Sequence, residues 1–271
     1  MGFPAGPDGQ LDLRLRDSKA CRLEIQLPGS ASPALDAGRT FRRLEPQAQP
    51  AVDLTKLKGP CHLPHDLRTH IPRAVTPGAF ALDLGCGAQV HQEVCELAGY
   101  EYVGLDYGTP EAMLLGDAQA LPFGDAVFSF TISIAVIEHV PYPLLLMRET
   151  FRTLAPGGIF LGTVAFLEPF HQRSLYHHTH LGLLNDLAFA GFEVQHVAPV
   201  SGWPGMVAQA HMGWFPGAPR WFARALVLPL LALQRVWWTL GHLVDREATD
   251  DRRRLKNAGA LLFVARRPFL R

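Results

Sequence analysis

The sequence has few cysteines, and their arrangement indicates neither a zinc module nor a disulfide framework. Four cysteines occur among 271 residues, and none belongs to a CxxC pair. A chain of this length can bury enough apolar surface to fold without disulfide bonds. The first residues also lack a basic patch followed by an apolar run, so no secretory signal is indicated. We therefore expect a reduced, cytoplasmic protein.

The sequence also lacks an excess of charge of either sign and a long apolar run. Lysine plus arginine number 25, as do aspartate plus glutamate. This balance argues against nucleic acid as the main partner, because such binding depends on neutralising phosphates. In the most apolar part of the chain the unbroken run covers only residues 225–233, well short of the ~18–20 residues of a membrane span.

From residue 79 onward, short apolar runs alternate with helical patterns. Strands are predicted at 79–84, 102–106, 127–133, 159–164, 192–197 and 260–265. Pro143 opens a helix that Pro156-Gly157-Gly158 is expected to close, and Thr179 can cap another that Gly191 ends. Strands alternating with helices are typical of βαβ units, so the sequence predicts an α/β, Rossmann-like fold.

One connection does not fit this scheme. Only six residues separate Asp106 from the short run at 113–116. A parallel crossover usually needs a dozen residues or more. Either the helix is absent and the third strand is rudimentary, or the run is a loop.

The chain divides into four segments by composition. A proline-rich N-terminal extension contains two period-2 runs, at 11–16 and 22–27, which predict a hairpin or two edge strands. The α/β core, a helical Trp-rich insertion and the last strand of the core follow. The predicted bounds of the four segments are 1–58, 59–200, 201–256 and 257–271.

A glycine turn lies between the first predicted strand and the helix after it. Gly85 and Gly87 let the backbone approach a ligand closely, and the helix N-terminus favours negative charge. Asp106, at the end of the second strand, suits the two hydroxyls of a ribose. Val90 occupies the sixth position of the G-x-G-x-x-G pattern, where a dinucleotide fold needs a small residue, so a pyrophosphate cofactor is disfavoured.

Five blocks resemble the motifs of class I S-adenosylmethionine (SAM) methyltransferases of the small-molecule type, the type 11 group that includes ubiquinone and menaquinone enzymes. The resemblance covers roughly residues 75–200 and implies a Rossmann-like sheet that is mostly parallel, with an antiparallel last strand. The blocks are LDLGCG at 82–87, VGLD at 103–106, GDAQALPF at 116–123, VIEHV at 136–140 and LAPGG at 154–158.

The resemblance implies SAM as cofactor and a set of residues that bind it. Asp83 would orient the methionine amino group, Asp106 would take the ribose hydroxyls and Asp117 would take the adenine. The sequence departs from the family at Gln89, where a third glycine is usual, and at Ser129, where Asp is common. The other implied cofactor residues are Gly85, Cys86, Gly87, Tyr107, Ala118, Gln119 and Ser133.

The acceptor is expected where the segments after the fourth, fifth and sixth strands emerge from the sheet. His139 is the candidate catalytic residue, either as a base for an acceptor hydroxyl or as a residue that shapes the pocket without moving a proton. Tyr176 and His178 are candidate substrate residues of a lid. No metal is expected, because the spacing of the histidines and of Glu168 matches no compact zinc site.

The insertion contains all five tryptophans of the chain. Three interpretations are open for it: a helical cap over an apolar acceptor pocket, a homodimer interface, or peripheral contact with a membrane. The arginine run at 252–254 is interpreted as part of a solvated turn, with phosphate binding as the alternative.

The leading functional hypothesis is a SAM-dependent methyltransferase that acts on a small, apolar or lipid-like acceptor, at oxygen. Amino methyltransferases of nucleic acid carry a Pro-Pro-aromatic sequence after the fourth strand, where this chain has Ile134-Ala135-Val136. The alternative hypothesis is a non-catalytic SAM-fold module that acts through the Trp-rich segment as a membrane- or partner-binding surface.

Overall fold

The apolar runs form the strands of one seven-stranded sheet. The computed structural model describes residues 52–58, 63–241 and 250–269. The strands are β1 Phe80–Leu84, β2 Glu101–Asp106, β3 Leu114–Leu115, β4 Phe128–Ile134, β5 Leu154–Ala165, β6 Glu193–Pro199 and β7 Ala260–Arg266. The two predicted N-terminal strands, at 11–16 and 22–27, lie outside the described residues.

The order of the strands creates a crevice at the centre of the sheet. The order is β3-β2-β1-β4-β5-β7-β6, and all neighbours are parallel except β7, which runs antiparallel to β5 and β6. The α/β fold with an antiparallel last strand is therefore confirmed. From β1 the chain adds β2 and β3 on one side of the sheet, and it then crosses to add β4 and the later strands on the other side. Ligands are therefore expected at the carboxyl ends of β1 and β4, where the order switches.

Helices and turns connect the strands. Their ends follow the local signals: Pro143 opens α3, Thr179 Oγ1 accepts a hydrogen bond from the Gly182 N–H at 3.0 Å, and Gly191 ends α4 with a φ of 106°. The helices are α1 His65–Arg68, α2 Gln92–Leu97, α3 Pro143–Thr153, α4 His180–Ala190, α5 Gly205–Ala208, α6 Arg220–Gly241 and α7 Asp250–Lys256. Short 3-10 turns occupy Leu54–Lys56 and Ile137–His139, and a π-helical turn occupies Gln209–Trp214.

The Pro-Gly-Gly sequence after α3 belongs to the following strand. The helix ends at Thr153, whereas the sequence predicts that it continues to Pro156. The Gly157 N–H donates to the Arg267 carbonyl at 2.8 Å, and the Arg267 N–H donates to the Gly158 carbonyl at 3.0 Å. These bonds to the chain after β7 draw the segment into β5, so the expected helix end was wrong.

The third strand is rudimentary, as one of the two alternatives predicted. In the described chain, residues 107–113 join β2 to β3 without a helix, and β3 has two residues. Residues from before β1 pack on this half of the core: Val52, Leu63, Leu67 and Ile71 are buried together with Phe130 of β4.

The insertion forms a small cluster of its own beside the sheet. Val207, Ala210, Ala223 and Val227 are buried against one another, while α6 exposes most of its remaining apolar side chains. A bridge between Pro204 and Ala258 attaches the start of the insertion to its end. No helix in the described part of the chain has the length and apolarity needed to cross a bilayer.

The arginine run at the end of the insertion lies in a helix. Residues 252–254 fall within α7, so the expected solvated turn was wrong for the part that the structure describes. Arg253 Nη1 donates to the Trp238 carbonyl at 2.6 Å, which commits this arginine to holding α7 against α6.

Arg267 offers a test of how the last strand is attached to the helical layer. Its Nη1 donates to the carbonyl oxygens of Phe151, Arg152 and Leu154 at 2.9, 3.0 and 2.6 Å. Arg267→Ala leaves the end of α3 without these donors, so we expect a loss of about 1–3 kcal/mol in the free energy of unfolding, measured with urea. Arg235→Ala, an exposed arginine on α6, is the control and should change it by less than about 0.5 kcal/mol.

Candidate functional site

The glycine turn after β1 has a backbone that side chains would disturb. Gly85 has a φ of 68°, and a Cβ there would collide with the side chain of Val136. Gly87 has a φ of 50°, but a Cβ there would meet no atom within 4 Å. Gly85 is thus required by packing, whereas Gly87 faces open space into which a ligand can approach.

Gln89 occupies the position at which the family usually has a third glycine. Its φ of 58° lies in the left-handed region, which explains why glycine suits the position. The Gln89 Nε2 donates to the Glu111 carbonyl at 2.8 Å, which ties the turn to the loop after β2. Gln89 therefore adopts the left-handed backbone conformation that suits glycine, and this conformation costs about 1–2 kcal/mol for a residue with a Cβ.

Asp83 is fully buried under the glycine turn and is held by two side chains. The Tyr102 hydroxyl donates to Asp83 Oδ2 at 2.9 Å, and His91 Nδ1 lies 3.1 Å from the same oxygen. Burial, and then the neighbouring Asp83, raise the pKa of Tyr102 far above its usual value, so its hydroxyl stays a donor. These contacts join β1, β2 and the start of α2, so Asp83 fixes the shape of the turn.

Sequence reasoning missed both partners of Asp83. Tyr102 reads as an ordinary apolar strand residue, and His91 carries no motif. The only signal was an acid inside an apolar strand, which requires a polar partner when buried. The interaction of Asp83 with a methionine amino group stays a prediction.

Asp106 lies at the carboxyl end of β2, against the glycine turn. Its Oδ2 accepts from the Gly87 N–H at 3.1 Å, and its Oδ1 accepts from the N–H groups of Gly108 and Thr109, both at 2.9 Å. Burial acts to raise the pKa of Asp106, but these backbone donors outweigh it, and the pKa lies below its usual value. The carboxylate is therefore ionised and fixed beside Gly87.

The loop after β3 presents the predicted adenine residues. Asp117 Oδ1 accepts from the Gln119 N–H at 2.9 Å and from Gln119 Nε2 at 3.0 Å, while Gln119 Oε1 accepts from the Tyr142 N–H. Ala118 is buried beside them, and Tyr107, after β2, is exposed. These residues lie in the loops after β2 and β3, on the same side of the crevice as Asp106.

Two more predicted cofactor residues are buried in the crevice. Ser133 lies near the end of β4, paired in register with Leu84, and its hydroxyl has no hydrogen-bond partner among the described residues. Burial, followed by Asp83 and Asp106, raises the pKa of Cys86 to about 12. The thiol is therefore protonated, and Cys86 can serve a ligand only through its backbone.

The 3-10 turn after β4 meets the loop after β5 at the edge of the sheet where the sequence predicts the acceptor. This region, residues 137–139 and 166–179, is called the acceptor edge. Glu138, His139 and His171 each place one nitrogen or carboxylate oxygen within 4.8 Å of those of the other two. Burial raises the pKa of the Glu138 carboxyl to about 7, and Glu168 contributes to the same effect. Burial, followed by His171 and His177, lowers the pKa of His139.

Glu168 connects this edge to the insertion. Its Oε2 accepts from the Trp203 indole N–H at 2.6 Å, and its Oε1 lies 3.6 Å from His171 Nδ1. The neighbouring Leu167 contributes to a mostly apolar cavity of about 240 Å³, which is further lined by Met206, Gln209, Trp214, Gln234 and Asn257. Leu167, which lines this cavity, is adjacent in the sequence to Glu168.

The two candidate substrate residues differ in exposure. Tyr176 is about half exposed, and its N–H donates to the Glu138 carbonyl at 3.1 Å. His178 is buried, with its Nε2 3.7 Å from Asp186 of α4. Tyr176 is thus tied to the turn after β4, whereas His178 contacts α4 through its side chain and the end of β5 through its N–H, which donates to the Ala165 carbonyl at 2.9 Å. Both substrate roles stay predictions.

Part of the core matches a known family. Residues 82–162 match the model of the methyltransferase domain family Methyltransf_11. The matched segment runs from β1 through most of β5, so it contains the glycine turn, Asp106, Asp117 and the Glu138-His139 pair.

Curated relatives carry the same assignment. An uncharacterised methyltransferase of Mycobacterium leprae is 32% identical, over 37% of this chain and 44% of the relative. A Mycolicibacterium smegmatis protein named "Probable S-adenosylmethionine-dependent methyltransferase" is 29% identical, over 44% of this chain and 53% of the relative. The chain therefore spans about half the length of the curated relatives it matches.

The matches to solved structures are weaker. The crystal structure of an S-adenosylmethionine-dependent methyltransferase from Mesorhizobium loti is 19% identical, covers 74% of this chain and 95% of its own, and has a TM-score of 0.45. The matched segment is similar to a methyltransferase domain of the Methyltransf_11 family, and it contains the glycine turn and the contact between Gly87 and Asp106.

Proposed function

We propose that the whole protein is a SAM-dependent methyltransferase that methylates a small, apolar or lipid-like acceptor at oxygen. The observation that carries the proposal is the contact between Asp106 and Gly87. This contact holds an ionised carboxylate beside Gly87, whose backbone faces open space. A ribose bound there would contact the carboxylate through its hydroxyls. When bound, SAM supplies a methyl group on a sulfonium, and transfer of that methyl leaves S-adenosylhomocysteine.

The chain has fitting groups for each part of this cofactor. Asp106 would bind the ribose hydroxyls, and Asp117, Ala118 and Gln119 would surround the adenine, with Tyr107 stacking on it. Gly85, Cys86 and Gly87 would contact the methionine part through their backbone. Ser133 would also lie beside the methionine part, because its buried hydroxyl has no hydrogen-bond partner among the described residues. Asp83 would act on the methionine part indirectly, through the glycine turn that it supports.

The acceptor edge supports an oxygen nucleophile and an apolar body. Its polar groups are a carboxylate and imidazoles, which suit a hydroxyl, and the cavity beginning at Leu167 suits an apolar group. His139 is the proposed catalytic residue, in contact with the acceptor oxygen. Tyr176 and His178 are proposed to border the acceptor, with the insertion as a cap.

Peripheral membrane contact is a second proposal, favoured by α6. Its exposed face is apolar over the whole helix, and no aspartate or glutamate occurs between residues 201 and 244. Arg220, Arg224 and Arg235 are exposed beside this face. An amphipathic helix with flanking arginines fits the surface of an anionic bilayer, where a lipid-like acceptor would be found.

The cofactor assignment can be tested by calorimetry with SAM, S-adenosylhomocysteine and, as a control ligand, NADH. The wild type should bind the first two and not the third. Asp106→Ala should weaken SAM binding about 100-fold, because two charge-assisted hydrogen bonds to the ribose are lost. Glu101→Ala, at the other end of the same strand, should bind normally. Failure of the wild type to bind SAM would contradict the proposal.

The catalytic assignment predicts a variant that binds the cofactor but is inactive. A screen for S-adenosylhomocysteine release with quinones, glycolipids and phenols identifies the acceptor, and mass spectrometry locates the methyl group. His139→Ala should then retain SAM binding and lose about 100-fold in kcat, since the acceptor oxygen is no longer positioned. His65→Ala, a remote exposed histidine, should retain full activity. Unchanged kcat in His139→Ala would remove the catalytic role.

Membrane contact predicts co-sedimentation with phosphatidylglycerol vesicles and weaker binding to phosphatidylcholine vesicles. Trp221→Ala with Trp237→Ala, two tryptophans that are each 71% exposed, should reduce the bound fraction about tenfold. Tyr142→Ala, an exposed aromatic away from α6, is the control. If the wild type does not sediment with either vesicle and light scattering instead shows a dimer that the double variant dissociates, α6 is a homodimer interface.

A further inference from the structure

We propose that Glu138, His139 and His171 bind a divalent metal ion at the acceptor edge. The existence of this site does not depend on the proposed function, but its use does. In a methyltransferase, the ion would bind the acceptor oxygen, and His139 would be a ligand of the ion.

The three side chains converge although they come from separate segments. Glu138 and His139 lie on the 3-10 turn after β4, and His171 lies in the loop after β5. One ligand atom from each residue lies within 4.8 Å of the other two. Ligand atoms at about 2.0–2.2 Å from one ion are at most about 4.4 Å apart, so the side chains would close slightly around the ion. The rings of His139 and His171 stand perpendicular, with centroids 5.2 Å apart.

The Glu138 carboxylate is the observation that points to a ligand. Its side chain is fully buried, and neither oxygen forms a hydrogen bond of ordinary geometry among the described residues. The backbone N–H groups of Glu138 and Ala165 only partly offset the effect of burial on its pKa. An unpaired buried carboxylate costs several kcal/mol unless a cation or donor compensates it. His171 Nδ1 is likewise buried and without a hydrogen bond in the described structure. A metal ion would satisfy the Glu138 carboxylate, while Glu168 lies near His171 Nδ1.

The electrostatic surroundings favour a cation. Glu168 brings a second carboxylate to the cluster, with Oε1 3.6 Å from His171 Nδ1. Among the described residues, no lysine or arginine forms an ion pair with Glu138 or Glu168. Carboxylates near metal-binding histidines commonly orient the rings, and Trp203 holds Glu168 in place for this role.

The donor set indicates the kind of metal. Two imidazoles and one carboxylate are typical of zinc and other first-row divalent ions in sites that keep a position open for substrate. An acceptor hydroxyl bound at that position would lose its proton more readily, and the proton would pass to solvent water. The methyl carbon would then form its bond to this oxygen as its bond to sulfur breaks, with both bonding electrons leaving on sulfur.

The sequence alone predicts no metal, because these three residues do not have the compact spacing of a zinc site. Residue 171 lies more than thirty positions after residue 139, with β5 between them. The fold removes this separation, since β4 and β5 are parallel neighbours whose carboxyl ends meet.

The site is tested by titrating the full-length, EDTA-treated protein with Zn²⁺ in a calorimeter and by measuring bound zinc with mass spectrometry. We expect one ion per chain. Glu138→Gln and His171→Ala should each weaken binding about 100-fold or more. His177→Ala, an exposed histidine close to the cluster but outside it, should bind zinc as the wild type does.

A second measurement removes dependence on the variants. Co²⁺ added to the EDTA-treated wild type should give visible d–d absorption bands of a nitrogen- and oxygen-ligated site, and zinc should displace them. The absence of zinc binding in the wild type, or zinc binding that both variants retain, would overturn the proposal.

The metal and the methyltransferase activity fail separately. SAM binding that survives EDTA while zinc does not bind leaves the proposed function standing and removes the metal site. Zinc binding without SAM binding would leave the metal site standing and remove the proposed function. If both bind, loss of S-adenosylhomocysteine release in EDTA and its recovery with Zn²⁺ support the role of the ion in catalysis.

Discussion

The hydrogen bond between the Gly87 N–H and Asp106 joins the two halves of the cofactor crevice. It depends on β1 and β2 being parallel neighbours, so that the glycine turn and the acid emerge at the same edge. Two further backbone donors keep the carboxylate ionised and directed at the turn. In the proposed methyltransferase, a ribose that contacts this carboxylate would fix where the rest of the cofactor lies.

Much of this crevice could be predicted because it is encoded locally. Glycines in a strand-to-helix turn and an acid at a strand end are properties of a few adjacent residues, and the sheet order follows from their sequence of appearance. A rudimentary third strand was one of the two alternatives predicted, because a six-residue connection is shorter than a parallel crossover usually needs. The start of β5 differs from the prediction by five residues, because Gly157 pairs with the segment after β7, which is distant in the sequence.

What could not be predicted depends on contacts between distant segments. Tyr102 and His91 meet at Asp83 because two strands and a helix converge there, and no motif records such a meeting. The same holds for Trp203 and Glu168, which tie the insertion to the loop after β5. Sequence patterns identified the residue types at the acceptor edge, but only the fold shows which of them touch.

Two buried carboxylates in this protein have opposite surroundings. Asp83 is satisfied by Tyr102 and His91, so its burial is explained by the turn it supports. Glu138 already serves the fold through its backbone, since its carbonyl accepts from the N–H groups of Leu175 and Tyr176, and any residue could do this. Its side chain is buried without a hydrogen bond of ordinary geometry in the described structure, and the backbone N–H groups of Glu138 and Ala165 only partly offset the effect of burial on its pKa. The acidic side chain at this position is therefore explained by something it binds, and the two histidines beside it limit what that can be.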